Sequence, residues 1–330
     1  MPAGRAARVR AGGGALLVVG DVVTDVVARH RGPLAPGTDT VASVRRVPGG
    51  AGANVACWAA RSARSGGGEV RMLGRVGADS AAWHERELAV HGVRPLLVVD
   101  GTAPTGTVIC LVDEEAAGER TFLTDSGASL RLEPGDWSEA LLDGVARLHL
   151  SGYPLFSDSG RAFVAAALKS ARARGVPVSL DPASAGFLAG LGADRFLALV
   201  EGVDVLLPSR DEACLLTGLS DPAEAAAALS RDIALVVVTC GARGALLARS
   251  GEVRARVPAV TARARDTTGA GDAFTGAFLA ALLSGADEGD ALRKGCRAGA
   301  RAVEVVGGRP PRPADGPRSS GAPGPAAPPG

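Results

Sequence analysis

The segment Asp266-Thr267-Thr268-Gly269-Ala270-Gly271-Asp272, followed at once by an apolar run from Ala273 to Leu283, is the most informative part of the sequence. Its glycines and alanine let the backbone turn tightly and leave the N–H groups accessible. A helix that begins there directs its unpaired N–H groups and the positive end of its dipole toward the turn. The segment therefore predicts an anion site with a carboxylate, that of Asp272, within one helical turn.

The same segment has an ordinary structural interpretation, because a glycine turn with an acid in the first helical turn is a common helix start. The apolar run behind it adds information. Phe274, Phe278 and Leu282 recur at i, i+4 and i+8 and share one face, and Gly276 allows a close neighbour. We predict a buried helix over 272–283 whose N-terminus is held rigidly.

A second glycine cluster, Gly49-Gly50-Ala51-Gly52-Ala53-Asn54, leads into another helical stretch. By itself it is a weak signal, since a tight turn with Asn54 in the first helical turn explains it. It lacks the full G-x-G-x-x-G of a dinucleotide site, and the chain contains no G-x-x-x-x-G-K-[ST] loop. A nicotinamide-dependent oxidoreductase is therefore disfavoured.

The order of apolar runs predicts the fold class. Short Val/Leu-rich runs alternate with alanine-rich helical stretches, most regularly after Leu148, which favours right-handed crossovers in a mostly parallel sheet. Residues from about 96 to 125 contain strand-like runs without a long helix between them. Together with residues 22–47 they predict a small β lid over the edge of an α/β domain.

Composition restricts the possible partners and the cell compartment. The 36 basic and 35 acidic residues give a net charge of +1, too little for a bulk field that would hold nucleic acid. The five cysteines are scattered without a C-x-x-C pair, which is typical of reduced thiols in a cytoplasmic protein. The N-terminal apolar run is too short for a membrane span.

The two glycine motifs, in this order and about 215 residues apart, resemble the two signatures of the ribokinase-like (PfkB-type) carbohydrate kinase family. Three further segments are similar to that family, so the resemblance extends from about residue 15 to 307. These are Val237-Val238-Thr239-x-Gly241-x-x-Gly244, Asp181-Pro182-Ala183 and Leu216-Thr217-Gly218. The resemblance implies a three-layer α/β/α sandwich with a mostly parallel central sheet and a small β lid.

The implied reaction is transfer of the γ-phosphoryl group of ATP to a hydroxyl of a sugar-like substrate, with Mg²⁺ and K⁺ as candidate cofactors. By the resemblance, Asp272 is the base, and Gly269, Ala270 and Gly271 supply the N–H groups of the anion hole. Its position at a helix N-terminus would stabilise the ionised form of Asp272, so a modest base is expected. The remaining implied roles are acceptor binding by Asp25, Gly49, Gly50 and Asn54, nucleotide binding by Ser209, Glu212, Thr239, Gly241 and Gly244, a water-mediated Mg²⁺ contact by Glu212, and a monovalent-cation site at Asp266 and Thr268. Arg120, in the predicted lid, is a further candidate for contacting the acceptor, and a solvated lid arginine is its ordinary interpretation.

The sequence departs from the family pattern at three places. Ser209 replaces the Asn of an Asn-x-x-Glu motif that ends at Glu212, Ser129 replaces another Asn, and Arg297 aligns with a late Asn near the adenine. We interpret these as changes of rate or nucleotide affinity. A nucleoside kinase, of pseudouridine or adenosine type, remains an alternative within the family. A non-catalytic sugar or nucleotide sensor is the alternative from another class.

The predicted organisation is a flexible segment over 1–14, one kinase domain over 15–307, and a disordered Pro/Gly-rich tail over 308–330. An exposed lid strand could pair across a homodimer.

Overall fold

Strands and helices alternate along most of the chain. The computed structural model describes residues 14–64, 68–113, 115 and 120–312. The strands are β1 Ala15–Val19, β2 Val23–His30, β3 Ala42–Gly49, β4 Val70–Gly77, β5 Val93–Asp100, β6 Thr105–Asp113, β7 Arg120–Gly127, β8 Val145–Ser151, β9 Val178–Asp181, β10 Val205–Leu206, β11 Leu235–Thr239, β12 Ala245–Arg249 and β13 Glu252–Val257. The α-helices are α1 Ala51–Ala63, α2 Ala81–Val90, α3 Asp158–Arg174, α4 Ala185–Leu191, α5 Ala193–Leu199, α6 Arg210–Thr217, α7 Pro222–Leu229, α8 Ala270–Leu283 and α9 Glu288–Ala302.

One nine-stranded sheet has the order β13-β12-β11-β10-β9-β8-β1-β4-β5. Its strands pair in parallel except for β12, which runs antiparallel to both β11 and β13. Parallel neighbours need crossover connections, and the helices supply them. The carboxyl ends of β1, β8, β9, β10 and β11 therefore meet along one edge, where loops can bring distant residues together.

Apolar side chains pack on both faces of this sheet. In β1, Leu17 and Val19 belong to a core shared with α3 to α7, whereas Leu16 and Val18 belong to a core shared with α1, α2, α8 and α9. Because successive side chains point to opposite faces, a fully apolar strand is what a sheet covered on both sides requires. The predicted three-layer sandwich with a mostly parallel sheet is confirmed.

A second sheet of four strands, in the order β3-β2-β6-β7, stands beside the carboxyl edge of the large sheet. It corresponds to the predicted lid, with one correction. Residues 96–100 were assigned to the lid but belong to β5, which pairs with β4 in the large sheet along its whole length. The absence of a long helix before β6 reflects a direct passage from one sheet to the other.

The prediction of disorder from residue 308 is wrong for 308–312. Gly308, Arg309 and Pro310 are buried, and the indole Nε1 of Trp58 donates to the carbonyl of Gly308 at 2.9 Å. Buried hydrogen bonds order this Pro/Gly-rich segment, which composition alone cannot reveal. The predictions for 1–13 and 313–330 lie outside the described residues. No helix in the described ranges is long and apolar enough to cross a membrane.

Helices α1 and α8 pack closely, as the glycine at 276 predicts. A Cβ at Gly276 would lie 2.5 Å from the carbonyl oxygen of Val55 and 2.8 Å from the amide nitrogen of Ala59. These are backbone atoms of α1 and cannot move aside like a flexible side chain. The predicted burial of α8 is confirmed, since Phe274, Phe278 and Leu282 all lie in the core.

We predict that Gly276→Ala lowers the free energy of unfolding by about 2 kcal/mol, because the added methyl group overpacks the α1–α8 contact. Gly190→Ala is the matched control, since a Cβ at this helical glycine would meet nothing within 4 Å. The control should be neutral or stabilising by up to about 1 kcal/mol. Urea denaturation of the two variants measures the difference, and equal effects would contradict the packing account.

Candidate active site

The N-terminus of α8 forms the centre of the candidate site. Gly269 precedes the helix with a left-handed φ of 72°, and a Cβ there would lie 2.5 Å from the Cα of Gly308. Glycine is therefore required both by conformation and by space. Asp272 lies in the first turn of the helix, where the first N–H groups lack intrahelical acceptors. The structure thus places the Asp272 carboxylate in the first turn of α8, while the N–H of Ala270 donates to the carbonyl of Thr267 at 3.3 Å.

Asn54 connects the two glycine motifs. Its Nδ2 donates to Oδ2 of Asp272 at 2.8 Å, although the two residues are 218 positions apart. Its Oδ1 is buried and has no hydrogen-bond partner among the described residues. An unsatisfied buried acceptor costs stability and is a common mark of a site that meets a ligand donor.

The turn before α1 is held by Asp21, which the sequence analysis missed. The carboxylate of Asp21 accepts from the amides of Ala51 at 2.8 Å and Gly52 at 3.1 Å, and from the hydroxyl of Ser151 at 3.2 Å. Gly50 has a φ of 96° and packs on the backbone of Asp21. The sequence contains a signal for this role, because Asp21 comes just after the buried first strand and therefore lies at the carboxyl edge of the sheet.

Asp25 lies on β2, at the base of the small sheet. Its carboxyl group packs against the backbone of Gly49, where any side chain would collide with it. The small sheet and the first glycine motif thereby present one carboxylate close to Asn54 and Asp272. Of the predicted acceptor-binding residues, Asp25, Gly49, Gly50 and Asn54 are brought together. Arg120 begins β7, but its side chain lies outside the described residues.

Burial controls the acid–base properties of the site. It raises the pKa of Asp272 to about 7, the hydrogen bond from Asn54 opposes this, and the charges of Asp21 and Asp25 add to it. Burial likewise raises the pKa of Asp25 to about 7. The expectation that the helix N-terminus makes Asp272 a modest base is therefore wrong in direction. A carboxyl group with a pKa near 7 suits proton abstraction at neutral pH.

Asp181, the last residue of β9, and Glu212, in the first turn of α6 after β10, form a second pair of carboxyl groups. Burial and mutual repulsion raise the pKa of Asp181, and burial raises the pKa of Glu212. Ser209 caps α6, because its amide donates to Oε2 of Glu212 at 2.8 Å and its hydroxyl accepts from the amide of Glu212 at 3.3 Å. The replacement of Asn by Ser209 thus leaves a capping box that holds Glu212 in place. Asp181 was noted only as part of a segment and is an additional candidate.

The predicted nucleotide-site glycines differ in what they contact. Gly241 is exposed with a φ of 56°, and a Cβ there would meet nothing within 4 Å. Gly244 is buried with a φ of 92°, and its Cα packs against the backbone of Val257 and Pro258. Thr239 ends β11 beside Ser209, with which it forms an isolated bridge. Gly241 leaves room for a ligand. At Gly244, glycine is needed because the neighbouring backbone of the protein itself fills the space.

Asp266 orders the loop that carries the anion site. Its Oδ1 accepts from the amide of Thr268 at 2.8 Å, and its Oδ2 accepts from the amide of Gly307 at 3.0 Å. The carboxylate therefore ties the loop before α8 to the segment after α9. Groups of three or more metal-binding side chains with metal-site geometry do not occur among the described residues.

The position of Arg297 in the structure does not support its alignment with an adenine-site residue. It is exposed on α9 in a groove shared with Arg61 and Arg301. Cys296 faces the other way, where it lies near Cys240 at the end of β11. Ser129, the other departure, donates its hydroxyl to the carbonyl of Val22 at 3.0 Å and has a structural role.

The arrangement brings together a carboxyl group with a pKa near 7, the N-terminus of a helix and buried polar side chains, which are features that a group transfer to a hydroxyl can use. Fold and site together define a phosphotransferase with an alcohol group as acceptor. Comparison with known proteins agrees, because the pattern of the pfkB family carbohydrate kinases matches residues 15–315. The chain belongs to this family of carbohydrate kinases.

Individual relatives span most of the chain. A fructokinase of Klebsiella pneumoniae is 33% identical over 283 residues, which are 82% of this chain and 85% of that enzyme. A 2-dehydro-3-deoxygluconokinase of Thermoproteus tenax is 31% identical and covers 88% of this chain and 89% of its own. An E. coli structure described as a ribokinase II in complex with ATP and Mg²⁺ has a TM-score of 0.78 and 25% identity, and covers 89% of this chain and 94% of its own.

The raised pKa of Asp272 predicts a measurable linkage between pH and stability. Its folded value, about 7, lies above the unfolded value near 3.8, so the folded state binds the proton more tightly. Wild-type stability should fall as pH rises from about 4 to 7, by up to about 1 kcal/mol per pH unit from this group. In Asp272→Asn this contribution is absent, so the free energy of unfolding of the variant should rise relative to that of the wild type between about pH 4 and 7.

Asp290→Asn is the matched control, because Asp290 occupies the same first-turn position in α9 but its side chain is half-exposed, and Arg293 lowers its pKa. Guanidinium titrations at several pH values measure the effect. A stability difference between Asp272→Asn and wild type that does not change with pH would contradict the account.

Proposed function

We propose that the protein transfers the γ-phosphoryl group of ATP to a hydroxyl group of a small sugar, with Asp272 as the base. The observation that carries the proposal is the hydrogen bond between Asn54 and Asp272, which joins the acceptor motif to the anion motif at 2.8 Å. A hydroxyl bound beside Asn54 would lie within reach of the Asp272 carboxylate. The N–H groups at the start of α8 would receive the phosphoryl group from the other side.

The reaction follows from this placement. As the acceptor oxygen attacks the γ-phosphorus, its O–H bond breaks and the proton passes to the carboxylate of Asp272. The bond from the γ-phosphorus to the β–γ bridging oxygen breaks, and ADP leaves with that electron pair. A loose phosphoryl transition state needs little early deprotonation, so positioning and charge stabilisation supply most of the rate enhancement.

The groups at the acceptor end have different proposed roles. Asp25 and the free Oδ1 of Asn54 accept hydrogen bonds from sugar hydroxyls, and Gly50 forms the tight turn that precedes α1. The N–H groups of Gly269, Ala270 and Gly271 stabilise the negative charge that develops on the transferred group. The small sheet covers the acceptor and keeps water from competing for the phosphoryl group.

The nucleotide end is formed by the loops after β10 and β11. Thr239 and the open backbone at Gly241 would border the nucleotide, and Ser209 would hold Glu212 toward its phosphates. Mg²⁺ suits this cleft, because it binds through one or two carboxylates, waters and substrate phosphates. Asp181 and Glu212, whose pKa values burial raises, have the required chemistry. When bound, Mg²⁺ neutralises phosphate charge, and a monovalent cation at Asp266 and Thr268 would do so beside the anion hole.

The acceptor that we propose is a ketose of the fructose type. This is supported by the fructokinase that is 33% identical over most of both chains. A coupled assay of ADP release with fructose, ribose, 2-keto-3-deoxygluconate, adenosine and pseudouridine tests it. Fructose should give the highest kcat/KM, and preference for a nucleoside would replace the acceptor assignment with the nucleoside alternative.

A homodimer through the small sheet stays a prediction. It is supported by exposed apolar side chains on β3 and β7, namely Val44, Phe122 and Leu123. Sedimentation analysis of the protein distinguishes a dimer from a monomer.

We predict that Asp272→Asn lowers kcat by about 10³-fold or more, because general base catalysis and positioning of the hydroxyl are lost together. Asp290→Asn, at the same position of α9, should retain wild-type activity. The measurement is Mg²⁺-dependent ADP release at saturating sugar and ATP.

Two outcomes would contradict the proposal in different ways. ADP release that survives Asp272→Asn would remove the assignment of the base. Thermal stabilisation of the wild-type protein by sugar and ATP without any phosphorylated product would instead favour a non-catalytic sensor.

A further inference from the structure

The segment after α9 runs beneath the acceptor site and contacts both glycine motifs. Gly308 packs against Gly269 and against the side-chain amide of Asn54, so that neither glycine could carry a Cβ. Its carbonyl accepts from the indole of Trp58 at 2.9 Å. The next residue, Arg309, donates from Nη2 to the carbonyl of Gly49 at 3.3 Å. We refer to residues 307–312 as the C-terminal strap.

Arg309 is an unusual residue for such a position. It is only 7% exposed, and its Nε and Nη1 have no hydrogen-bond partner among the described residues. A buried cation without full pairing is costly, so arginine here needs a compensating interaction. Burial disfavours its charged form, and the charges of Glu87 and Asp25 favour it. Glu87 pairs with Arg312 at 2.6 Å, whereas the Asp25 carboxyl packs against Gly49, the residue whose carbonyl Arg309 binds. We therefore take Asp25 as the acid that Arg309 compensates.

We propose that Arg309 is a positioning residue of the acceptor site, which fixes the Gly49 turn and supplies the counter-charge that keeps Asp25 ionised. This rests on the proposed function only in that Asp25 accepts hydrogen bonds from the sugar. An ionised Asp25 is the stronger acceptor, and charge-assisted hydrogen bonds are about twice as strong as neutral ones. Arg309 therefore acts on the sugar through Asp25 and the Gly49 turn.

The charges around Asp25 agree with this role. Burial raises its pKa to about 7, the charges of Asp21 and Asp266 add to the rise, and the charge of Arg309 opposes it. Arg309 is thus the cation that limits the upward shift. Without it, a larger share of Asp25 would be protonated at neutral pH.

The groups around Arg309 itself do not replace its charge. Burial and the charge of Arg309 lower the pKa of both His84 and His91 to about 4, so both are neutral near pH 7. Burial raises the pKa of the Cys57 thiol to about 11, so it too is neutral. The local balance near pH 7 therefore depends on Arg309, Asp25 and the Glu87–Arg312 pair.

A stability cycle tests the coupling without any substrate. The variants are Arg309→Met, Asp25→Asn and the double variant, each unfolded by urea between pH 5 and 8. Loss of Arg309 should raise the pKa of Asp25 in the folded state further above its value in the unfolded state. The free energy of unfolding of Arg309→Met should therefore keep falling as pH rises, at pH values where that of the wild type no longer changes. In the Asp25→Asn background this pH-dependent difference should vanish. The same difference with and without Asp25 would overturn the proposal.

The activity test uses Arg309→Met, Arg309→Lys and the control Arg61→Met, which removes an exposed hydrogen bond to the carbonyl of Pro311 in the same strap and leaves the Glu87–Arg312 pair intact. In Arg309→Met we expect the KM for sugar to rise roughly tenfold with the KM for ATP little changed, and the acidic limb of the pH profile of kcat/KM to move up by about 1 pH unit. Arg309→Lys should return the acidic limb toward its wild-type pH, and Arg61→Met should leave it in place.

The outcomes separate this proposal from the proposed function. If the acidic limb of the pH profile of kcat/KM stays at its wild-type pH in folded, active Arg309→Met, the proposed role of Arg309 is overturned and the kinase assignment stays intact. If wild type releases no ADP with any sugar, the proposed function fails, and the stability cycle still decides whether Arg309 acts on Asp25. If Arg309→Met does not fold, Arg309→Gln replaces it in both tests.

Discussion

The hydrogen bond between Asn54 and Asp272 is the contact on which the candidate site depends. It spans 218 residues and joins the first turn of α1 to the first turn of α8 at 2.8 Å. The two helices pack almost backbone to backbone at Gly276, so their small residues help to set the separation at which this hydrogen bond forms. The glycine turns that precede both helices then face the same space at the carboxyl edge of the sheet.

Concentrating acids at this edge has an electrostatic cost. Asp21, Asp25, Asp181, Glu212 and Asp272 all have pKa values raised chiefly by burial. Each carboxylate would be better stabilised in water, so the cleft gives up folding stability to hold carboxyl groups with raised pKa values, a common feature of functional sites. Cations relieve this cost, and the C-terminal strap supplies one of them through Arg309. Hydrogen bonds from substrate hydroxyls and the charge of a nucleotide-bound divalent cation would lower the remaining cost.

Much of this architecture could be predicted from local pattern. The apolar face of α8, the need for Gly276 and the regular alternation after Leu148 all follow from helix and strand periodicity, and the structure agrees. The edge strand β13, Glu252–Val257, alternates polar and apolar residues and could have been found by its period of two. Helices α4 and α5 have seven residues each and contain little periodicity to detect.

The errors arise where tertiary contacts override composition. Residues 308–312 have a disordered composition but are ordered by Trp58, Gly49 and Glu87, which lie more than 200 positions away in sequence. Asp272 was expected to be a weak base from its helix position alone, whereas burial by distant segments reverses the direction of its pKa shift. The β5 strand resembles a lid strand until its pairing with β4 is known.

The central claim is that a hydroxyl of the acceptor lies beside Asn54 and within hydrogen-bond reach of the Asp272 carboxylate. A crystal structure with fructose and a non-hydrolysable ATP analogue tests this most directly. The account predicts one sugar hydroxyl within about 3 Å of an Asp272 carboxylate oxygen and the γ-phosphate facing the α8 N-terminus. A sugar whose hydroxyls all lie beyond hydrogen-bond reach of Asp272, with the small sheet closed over it, would contradict it.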